Sequence, residues 1–162
     1  MTIEKTLKIT APTDREIVVV RDFDAPRRLV FDCMTKPELL RRWMLGPPGW
    51  TMPVCEIDLR VGGAYRYVWH GENGEEMGMG GVYQEIAPPD RLVATELFDT
   101  EMFDAAGEPS LVTSELAEHG GRTTLTTTIR YPSKAVRDAM LATDMAAGME
   151  AGYARLDALL AA

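Results

Sequence analysis

Hydrophobic and polar residues alternate in several ways along the chain, and each way predicts a different kind of structure. A short β-branched run at Glu16–Asp24 predicts a first strand. In the segment that follows, APRRLVFDCMT, apolar residues recur at helical spacing. The capping-box spacing of Thr35 and Glu38 predicts the start of a second helix, and Gly46 is expected to end it. We therefore expect two short helices after the first strand.

The middle of the chain has the composition of β-strands separated by turns that are rich in Gly, Pro and Asp. Because the connections are short, neighbouring strands must be antiparallel. Six strands are predicted here, at Met52–Leu59, Ala64–His70, Glu76–Glu85, Arg91–Asp99, Leu111–Glu118 and Arg122–Tyr131.

The last segment, Ser133–Leu160, predicts one long amphipathic helix. An antiparallel sheet with one apolar face needs a cover, and this helix is the only predicted element that is long enough. The sequence therefore predicts an α+β helix-grip arrangement, in which a curved seven-stranded antiparallel sheet wraps around the C-terminal helix. The first strand should pair with the last. Residues 15–162 would form this single domain, and residues 1–14 a flexible N-terminal arm.

Length and charge exclude some classes of function. A chain of 162 residues can bury enough surface to fold without a disulfide or a metal. Its formal net charge is −8 and it has no basic cluster, which argues against binding to nucleic acid or to anionic membranes. The N-terminus has charges where a signal peptide needs an apolar run, and no segment approaches the about 18 apolar residues of a membrane span. We expect a cytoplasmic protein.

Few residues could perform catalysis. The two histidines, His70 and His119, lie beside predicted turns, without His or Cys at metal-ligand spacing. Cys33 and Cys55 fall on apolar patterns and are expected to be buried core thiols. We therefore predict no catalytic residue, no metal site and no cofactor.

The glycines of the strand region have structural interpretations. Gly62 and Gly63 are expected to form a tight turn, braced by an ion pair between Asp58 and Arg60. The glycines at 78, 80 and 81 are expected to mark a bend or bulge where the sheet curls.

The most unusual strand is AYRYVWH, in which Tyr65, Tyr67 and Trp69 occupy every second position and share one face. This face is the more apolar one and is expected to point inward. The three rings would then either pack into a solid core or line a cavity with polar hydroxyl groups on its wall.

Several motifs together resemble the START-like superfamily, and within it the bacterial homologues of the activator of the heat-shock chaperone ATPase. They are FDAPRRLVFDCMTKPELLRRWM, GPPGWTM, IDLRVGGAYRYVW, GVYQEIAPPDRLV and GMEAGYARLDALLAA. The resemblance covers roughly Glu16 to the C-terminus. It implies a helix-grip fold with a cavity between the sheet and the helix. Relatives bind lipids, sterols, polyketides or plant hormones there, some are polyketide aromatases or cyclases, and the eukaryotic co-chaperone contacts a chaperone.

With that cavity in view, the candidate ligand-binding residues lie on the sheet, the loops and the last helix. They are Trp43, Trp50, Tyr65, Tyr67, Trp69, Met79, Glu96, Phe98, Met145 and Met149. Small residues of the helix, at 146–148 and 151–152, would leave space opposite the aromatic strand. If Glu96 is inside, it needs Arg66, Arg130 or a tyrosine as a partner, because an unpaired buried carboxylate is costly.

Three functions remain open at the level of sequence. The first is a carrier or sensor that binds a hydrophobic or aromatic small molecule. The second is an enzyme of the aromatase, cyclase or hydrolase kind that uses Glu96, Tyr65 or Tyr67. The third is an interaction module that contacts a chaperone. A homodimer formed through an exposed edge strand is also compatible with the sequence.

Overall fold

The computed structural model describes residues 7–99 and 108–162. Its strands are β1 (Lys8–Thr10), β2 (Glu16–Phe23), β3 (Thr51–Ile57), β4 (Ala64–His70), β5 (Glu76–Ala87), β6 (Arg91–Phe98), β7 (Ser110–His119) and β8 (Arg122–Arg130). Its helices are α1 (Arg27–Thr35), α2 (Pro37–Leu40), α3 (Lys134–Leu141) and α4 (Met145–Ala161). The predicted turn at 104–109 lies largely outside the described residues.

The strands form one antiparallel sheet in the order β1-β2-β8-β7-β6-β5-β4-β3. The expected pairing of the first long strand with the last is confirmed, because β2 pairs with β8 from Glu16↔Arg130 to Phe23↔Thr123. The sheet has eight strands in the described residues, one more than the seven predicted. The additional strand β1 pairs Lys8–Thr10 with Val18–Val20 inside the region predicted to be a flexible arm. Three residues are too few to show a strand periodicity in the sequence.

The predicted long C-terminal helix is divided into α3 and α4. The hydroxyl of Ser133 caps α3 by accepting a hydrogen bond from the backbone N–H of Val136 at 3.2 Å. At the break, the Thr143 hydroxyl donates to the carbonyl of Met140 at 2.6 Å, a bond that competes with continued helical pairing. The two helices also pack against different parts of the core, α3 through Met140 and α4 through Leu156.

The two short helices form with the predicted break between them, but not with the predicted cap. The Thr35 hydroxyl donates back to the carbonyl of Phe31 at 2.9 Å, so it does not cap α2. Lys36 takes the N-cap position instead, with extended backbone angles. Helix α2 ends at Leu40 and a turn follows at 41–43, so the helix stops before Gly46, which has a φ of 73°.

One buried arginine attaches α4 to the sheet. Arg21 of β2 is only 2% exposed and donates to both carboxylate oxygens of Asp157, at 2.8 and 3.0 Å. It also donates to Glu150 at 3.1 Å, about two turns nearer the start of the same helix. Its guanidinium lies 5.0 Å from the ring centre of Phe23. Because the helix face that contacts the sheet is fixed by this charge cluster, the rest of α4 is held in one orientation over the strands.

The turn before β4 has the predicted construction. Gly62 has a φ of 85°, in the left-handed region, and a Cβ on Gly63 would clash with the carbonyl oxygen of Asp58. Arg60 donates to Asp58 at 2.8 Å on the exposed surface, which confirms the ion pair. The bulge predicted at the glycines of β5 lies elsewhere, because the register between β5 and β6 shifts between Tyr83 and Glu85.

Candidate ligand-binding cavity

A cavity of about 450 Å³ lies between the concave face of the sheet and α4. Strand residues such as Trp69 and Phe98 form one wall, and the first turns of α4 form the other. The loop between α2 and β3, with Pro47 and Trp50, closes a third side. The break between α3 and α4 lies at this cavity, so the division of the predicted helix shapes its rim.

Two smaller cavities adjoin it. One of about 110 Å³ lies farther along the sheet and is lined by Tyr65, Tyr67 and Tyr83 among others. The second, of about 20 Å³, has the size of a single water molecule and lies beside Ser110. Glu96 contributes to the walls of all three cavities.

The aromatic face of β4 points inward, as the strand parity predicts. The ring centres of Tyr65 and Tyr67 are 5.0 Å apart, and those of Tyr67 and Trp69 are 5.9 Å apart. The Tyr65 hydroxyl donates to the carbonyl of Thr95 at 2.5 Å. The Trp69 indole N–H donates to the carbonyl of Met44 at 2.7 Å.

The hydroxyl groups of these tyrosines are therefore engaged within the protein. Tyr67 and Tyr83 hydrogen-bond to one another, and burial raises the pKa of Tyr83 to about 12. Burial also raises the pKa of Tyr65 and of Tyr67 above the usual tyrosine range. The hydroxyl groups of the β4 tyrosines thus have hydrogen-bond partners within the protein, and both side chains are neutral at physiological pH.

The ten predicted site residues divide between the two larger cavities. Tyr65 and Tyr67 line the smaller one. The other eight line the larger one: Trp43, Trp50, Trp69, Met79, Glu96, Phe98, Met145 and Met149. Of these, Met79 and Glu96 line both. Their role as ligand contacts stays a prediction.

Trp43 and Trp50 occupy different depths. Trp43 is buried, stacks on Tyr153 of α4 with ring centres 5.7 Å apart, and donates its indole N–H to the carbonyl of Cys33 at 2.9 Å. It forms a fixed floor of the cavity near the short helices. Trp50 is only half-buried and follows Gly49 in the loop at the rim.

Glu96 is the acidic residue that reaches farthest inside. Its side chain is half-buried, and burial raises the pKa of its carboxyl group from 4.5 to about 7. The arginine partners predicted for it are wrong: Arg66 pairs with Asp99 on the outer face, and Arg130 is exposed. Within the described residues the carboxylate has no hydrogen bond or ion pair. A carboxylate left in this state is a costly group that a bound molecule could satisfy.

Tyr131 is a wall residue that the sequence analysis did not single out. It is 4% exposed, and its hydroxyl has no hydrogen-bond partner among the described residues. It lines both the large cavity and the water-sized one. The available signal was parity, because Tyr131 continues the inward alternation of Leu125, Thr127 and Ile129.

The small residues of α4 are only partly where they were expected. Gly148 and Gly152 line the large cavity, whereas Ala146 and Ala147 are exposed. A Cβ on Gly148 would meet no atom within 4 Å, so this glycine borders open space. A Cβ on Gly152 would lie 3.3 Å from the carbonyl oxygen of Trp43. The missing side chain at Gly148 therefore helps to form the cavity.

The described residues offer little for nucleophilic or metal chemistry. No group of three or more His, Cys, Asp or Glu side chains in this part of the chain could hold a metal ion. His70 and His119 are exposed, and His70 lies 3.3 Å from Glu76. Cys33 and Cys55 are free and buried, and burial raises the pKa of both thiols, which makes them poor nucleophiles. No helix among residues 7–99 and 108–162 is long and apolar enough to cross a bilayer.

Comparison with solved structures confirms the fold. A protein from Rhodobacter sphaeroides is 33% identical, with a TM-score of 0.88 over 96% of this chain and 98% of that one. The protein Ms6760 from Mycobacterium smegmatis is 24% identical, with a TM-score of 0.82 over 94% of this chain and 95% of its own. PFC0360w, an HSP90 activator from Plasmodium falciparum, is 22% identical, with a TM-score of 0.56 over 73% of this chain and 74% of its own.

The comparison with curated proteins found no match. The family model described as Activator of Hsp90 ATPase homolog 1-like protein matches residues 24–161, from the end of β2 to the end of α4. This span includes both walls of the cavity. The chain therefore belongs to the family of Activator of Hsp90 ATPase homolog 1-like proteins.

Proposed function

We propose that this protein binds a hydrophobic or aromatic small molecule in the 450 Å³ cavity, as a carrier or a sensor. The observation that supports this most directly is the nature of the cavity itself. Its volume falls within the roughly 300–1,000 Å³ of small-molecule sites. Its wall consists mainly of aromatic and methionine side chains, with few polar groups.

The methionines support the same function. Six of the ten line this one cavity: Met44, Met77, Met79, Met140, Met145 and Met149. Unbranched thioether side chains adapt to the shape of an apolar guest at low cost. A wall built in this way favours binding of a molecule over the tight packing that a solid core requires.

The test is to fill the cavity from Gly148. The variant Gly148→Leu places a side chain in open space on the cavity wall, and the control Ala147→Leu introduces leucine on the exposed face of the same helix. Calorimetric titration with two neutral probes, 2-naphthylmethanol and Nile red, should show binding to the wild type and to Ala147→Leu, and at least tenfold weaker binding to Gly148→Leu.

Thermal unfolding gives an independent reading of the same interaction. A ligand that binds only the folded state at a hundred times its Kd stabilises that state by about 2.7 kcal/mol. The melting temperature of the wild type should therefore rise with 2-naphthylmethanol, and that of Gly148→Leu should not. If neither probe binds the wild type, or if both leucine variants bind equally well, the proposal is wrong.

A second candidate function is contact with a chaperone, because the family contains Hsp90 activators and one patch of the surface is apolar. Val61 is 65% exposed, and Leu59 and Val82 are 41% exposed. The backbone N–H of Gly62 donates to the carbonyl of Tyr83 at 2.9 Å, which places this turn beside β5. Stimulation of the ATPase of a bacterial Hsp90 by the wild type, lost in Val61→Ser, would support this function. Absence of any stimulation by the wild type would exclude it.

A further inference from the structure

Every charged side chain that lines the three cavities is acidic, as far as the described part of the chain is concerned. In the large cavity these are Glu96, deep in the wall, and Asp144, which is exposed at the rim just before α4. The water-sized cavity adds the exposed Glu108. Among the described residues that line these spaces there is no Lys, Arg or His. An anionic ligand would therefore meet carboxylates without any cation to balance its charge.

Two arginines that contact residues of the cavity wall, Arg21 at Tyr153 and Arg155 at Gly46, are already engaged. Arg21 is held by Asp157 and Glu150, under α4. Arg155 donates to the carbonyl of Gly46 at 2.9 Å and so braces the loop at the rim. These side chains cannot compensate an anion in the cavity without breaking contacts that position its walls.

The polar groups on the sheet side lie in one row across three strands. Glu96 pairs with Ser110 in the ladder of β6 and β7, and Leu111 pairs with Arg130 in the ladder of β7 and β8. This register places Tyr131 next to Ser110, so the three residues share the inner face. The buried hydroxyl of Tyr131 lacks a hydrogen-bond partner within the described residues. Burial is the cause of the raised pKa of Glu96, whose carboxylate has no hydrogen bond or ion pair in the described part of the chain. Two unsatisfied polar groups in an apolar wall would be stabilised by a ligand that donates hydrogen bonds there.

The remaining wall also favours positive charge. Trp43, Trp50, Trp69 and Phe98 present aromatic rings to the same space. The faces of aromatic rings attract cations, and the attraction is stronger where water is excluded. A cation that reaches Glu96 would thus pass an exposed carboxylate at the rim and aromatic rings along the wall.

We propose that the cavity selects a hydrophobic amine, a molecule with an apolar or aromatic body and one protonated nitrogen. Its ammonium group pairs with the carboxylate of Glu96, and its body packs among the methionine and aromatic side chains. This inference rests on the proposed function, and it narrows the ligand class by excluding fatty acids and other apolar carboxylates.

Three naphthalene probes that differ only in the head group test the selection: 2-naphthylmethylamine, 2-naphthylmethanol and 2-naphthoate. Calorimetric titration of the wild type at about pH 8 should show at least tenfold tighter binding of the amine than of the alcohol, with the carboxylate weakest. In Glu96→Gln the amine should lose at least tenfold in affinity, while the alcohol changes less than about twofold. The control Glu56→Gln, on the exposed side of β3 and outside all three cavities, should change the affinity of the amine by less than about twofold.

The pH dependence supplies a further readout that needs no variant. The titratable groups that face Glu96 are Tyr65 and Tyr131, both with a raised pKa, and the carboxylates of Asp144 and Glu108 at the outer edges. The tyrosines stay neutral, so the change near neutral pH comes from Glu96. Since the carboxyl group must be ionised to hold the ammonium, the affinity of the amine should fall about tenfold per pH unit below about pH 7. The affinity of the alcohol should not.

The outcomes separate this inference from the proposed function. Equal affinity of amine and alcohol for the wild type, tightest binding of 2-naphthoate, or an unchanged amine affinity in Glu96→Gln would overturn the amine selection and leave a general hydrophobic site. If none of the three probes binds and Nile red also fails to bind, both are wrong. Should Glu96→Gln fail to fold, the comparison of the three probes and the pH dependence in the wild type still decide the question.

Discussion

Replacing Glu96 by Gln should make the folded protein more stable, by an amount that grows with pH. The carboxyl group has a pKa of about 7 in the folded state because burial penalises its charge, against 4.5 in an unfolded chain. Full ionisation in the folded state therefore costs about 3 kcal/mol. Gln has a similar shape and no charge to desolvate, so the variant avoids this cost.

The dependence on pH follows from the direction of the pKa change. Below pH 4.5 the carboxyl group is protonated in both states and does not disfavour folding. Between pH 4.5 and about 7 the unfolded chain has lost this proton while the folded protein still holds it, so folding becomes less favourable as the pH rises, and the loss levels off above about pH 7. The stability advantage of Glu96→Gln should thus increase by about 2 kcal/mol between about pH 5.5 and 8.5.

Urea unfolding followed by tryptophan fluorescence across this pH range measures the difference directly. The matched control is Glu56→Gln on the exposed side of β3, which should change the free energy of unfolding by less than about 0.5 kcal/mol at every pH. A stability difference for Glu96→Gln that is independent of pH, or that grows as the pH falls, would refute a desolvated carboxyl group at this position.

Three further predictions concern the glycines of α4, the arginine that attaches α4 to the sheet, and the exposed turn before β4. Gly148→Ala should stabilise the protein by about 0.5–1 kcal/mol, because it removes a helical glycine that borders open space. Gly152→Ala should be less favourable than Gly148→Ala by about 1–2 kcal/mol, because its Cβ would lie 3.3 Å from a backbone oxygen; chemical unfolding measures the stability of both variants. Arg21→Met should lower the free energy of unfolding by about 3 kcal/mol, because it leaves the carboxylates of Glu150 and Asp157 facing the sheet without their cation. A loss below about 1 kcal/mol would contradict the attachment described for α4. Asp58→Asn should change the free energy of unfolding by less than about 0.5 kcal/mol, because its pair with Arg60 is exposed; a larger loss in urea unfolding would show that the turn depends on this ion pair.

The fold could be predicted from sequence because its long elements have strong periodicity. The inward alternation of Tyr65, Tyr67 and Trp69 fixed one face of the sheet, and the short turns fixed antiparallel pairing. The three-residue strand β1 could not be found, since its partner and not its own pattern makes it a strand. The division of the last helix was also missed, because Thr143 breaks the helix through a local hydrogen bond that apolar periodicity does not reveal.

The sequence predicted which residues line the site only where it also predicted the direction in which their side chains point. Eight of the ten proposed residues line the large cavity, and six of these eight lie on strands or on α4, where parity and the helical stripe determine which way a residue points. The other two, Trp43 and Trp50, lie between α2 and β3. The partners of Glu96 were not predictable in the same way. Arg66 lies on the same strand as the inward tyrosines, but its side chain points outward and pairs with Asp99. Opposite charge alone does not show whether an arginine pairs with Glu96 or with Asp99. Whether the Tyr131 hydroxyl has a hydrogen-bond partner depends on all of its neighbours in the fold. Its lack of a partner among the described residues therefore could not be predicted from the sequence.

The methionine sulfur atoms around the large cavity make its lining sensitive to oxidation. Oxidation of methionine to the sulfoxide turns a flexible apolar side chain into a polar one, and dedicated reductases reverse the change. Because six such side chains line this cavity, a few oxidation events would make its lining polar without altering the backbone. If the cavity binds a small molecule as proposed, the bound fraction would fall under oxidising conditions as well as when the ligand is scarce.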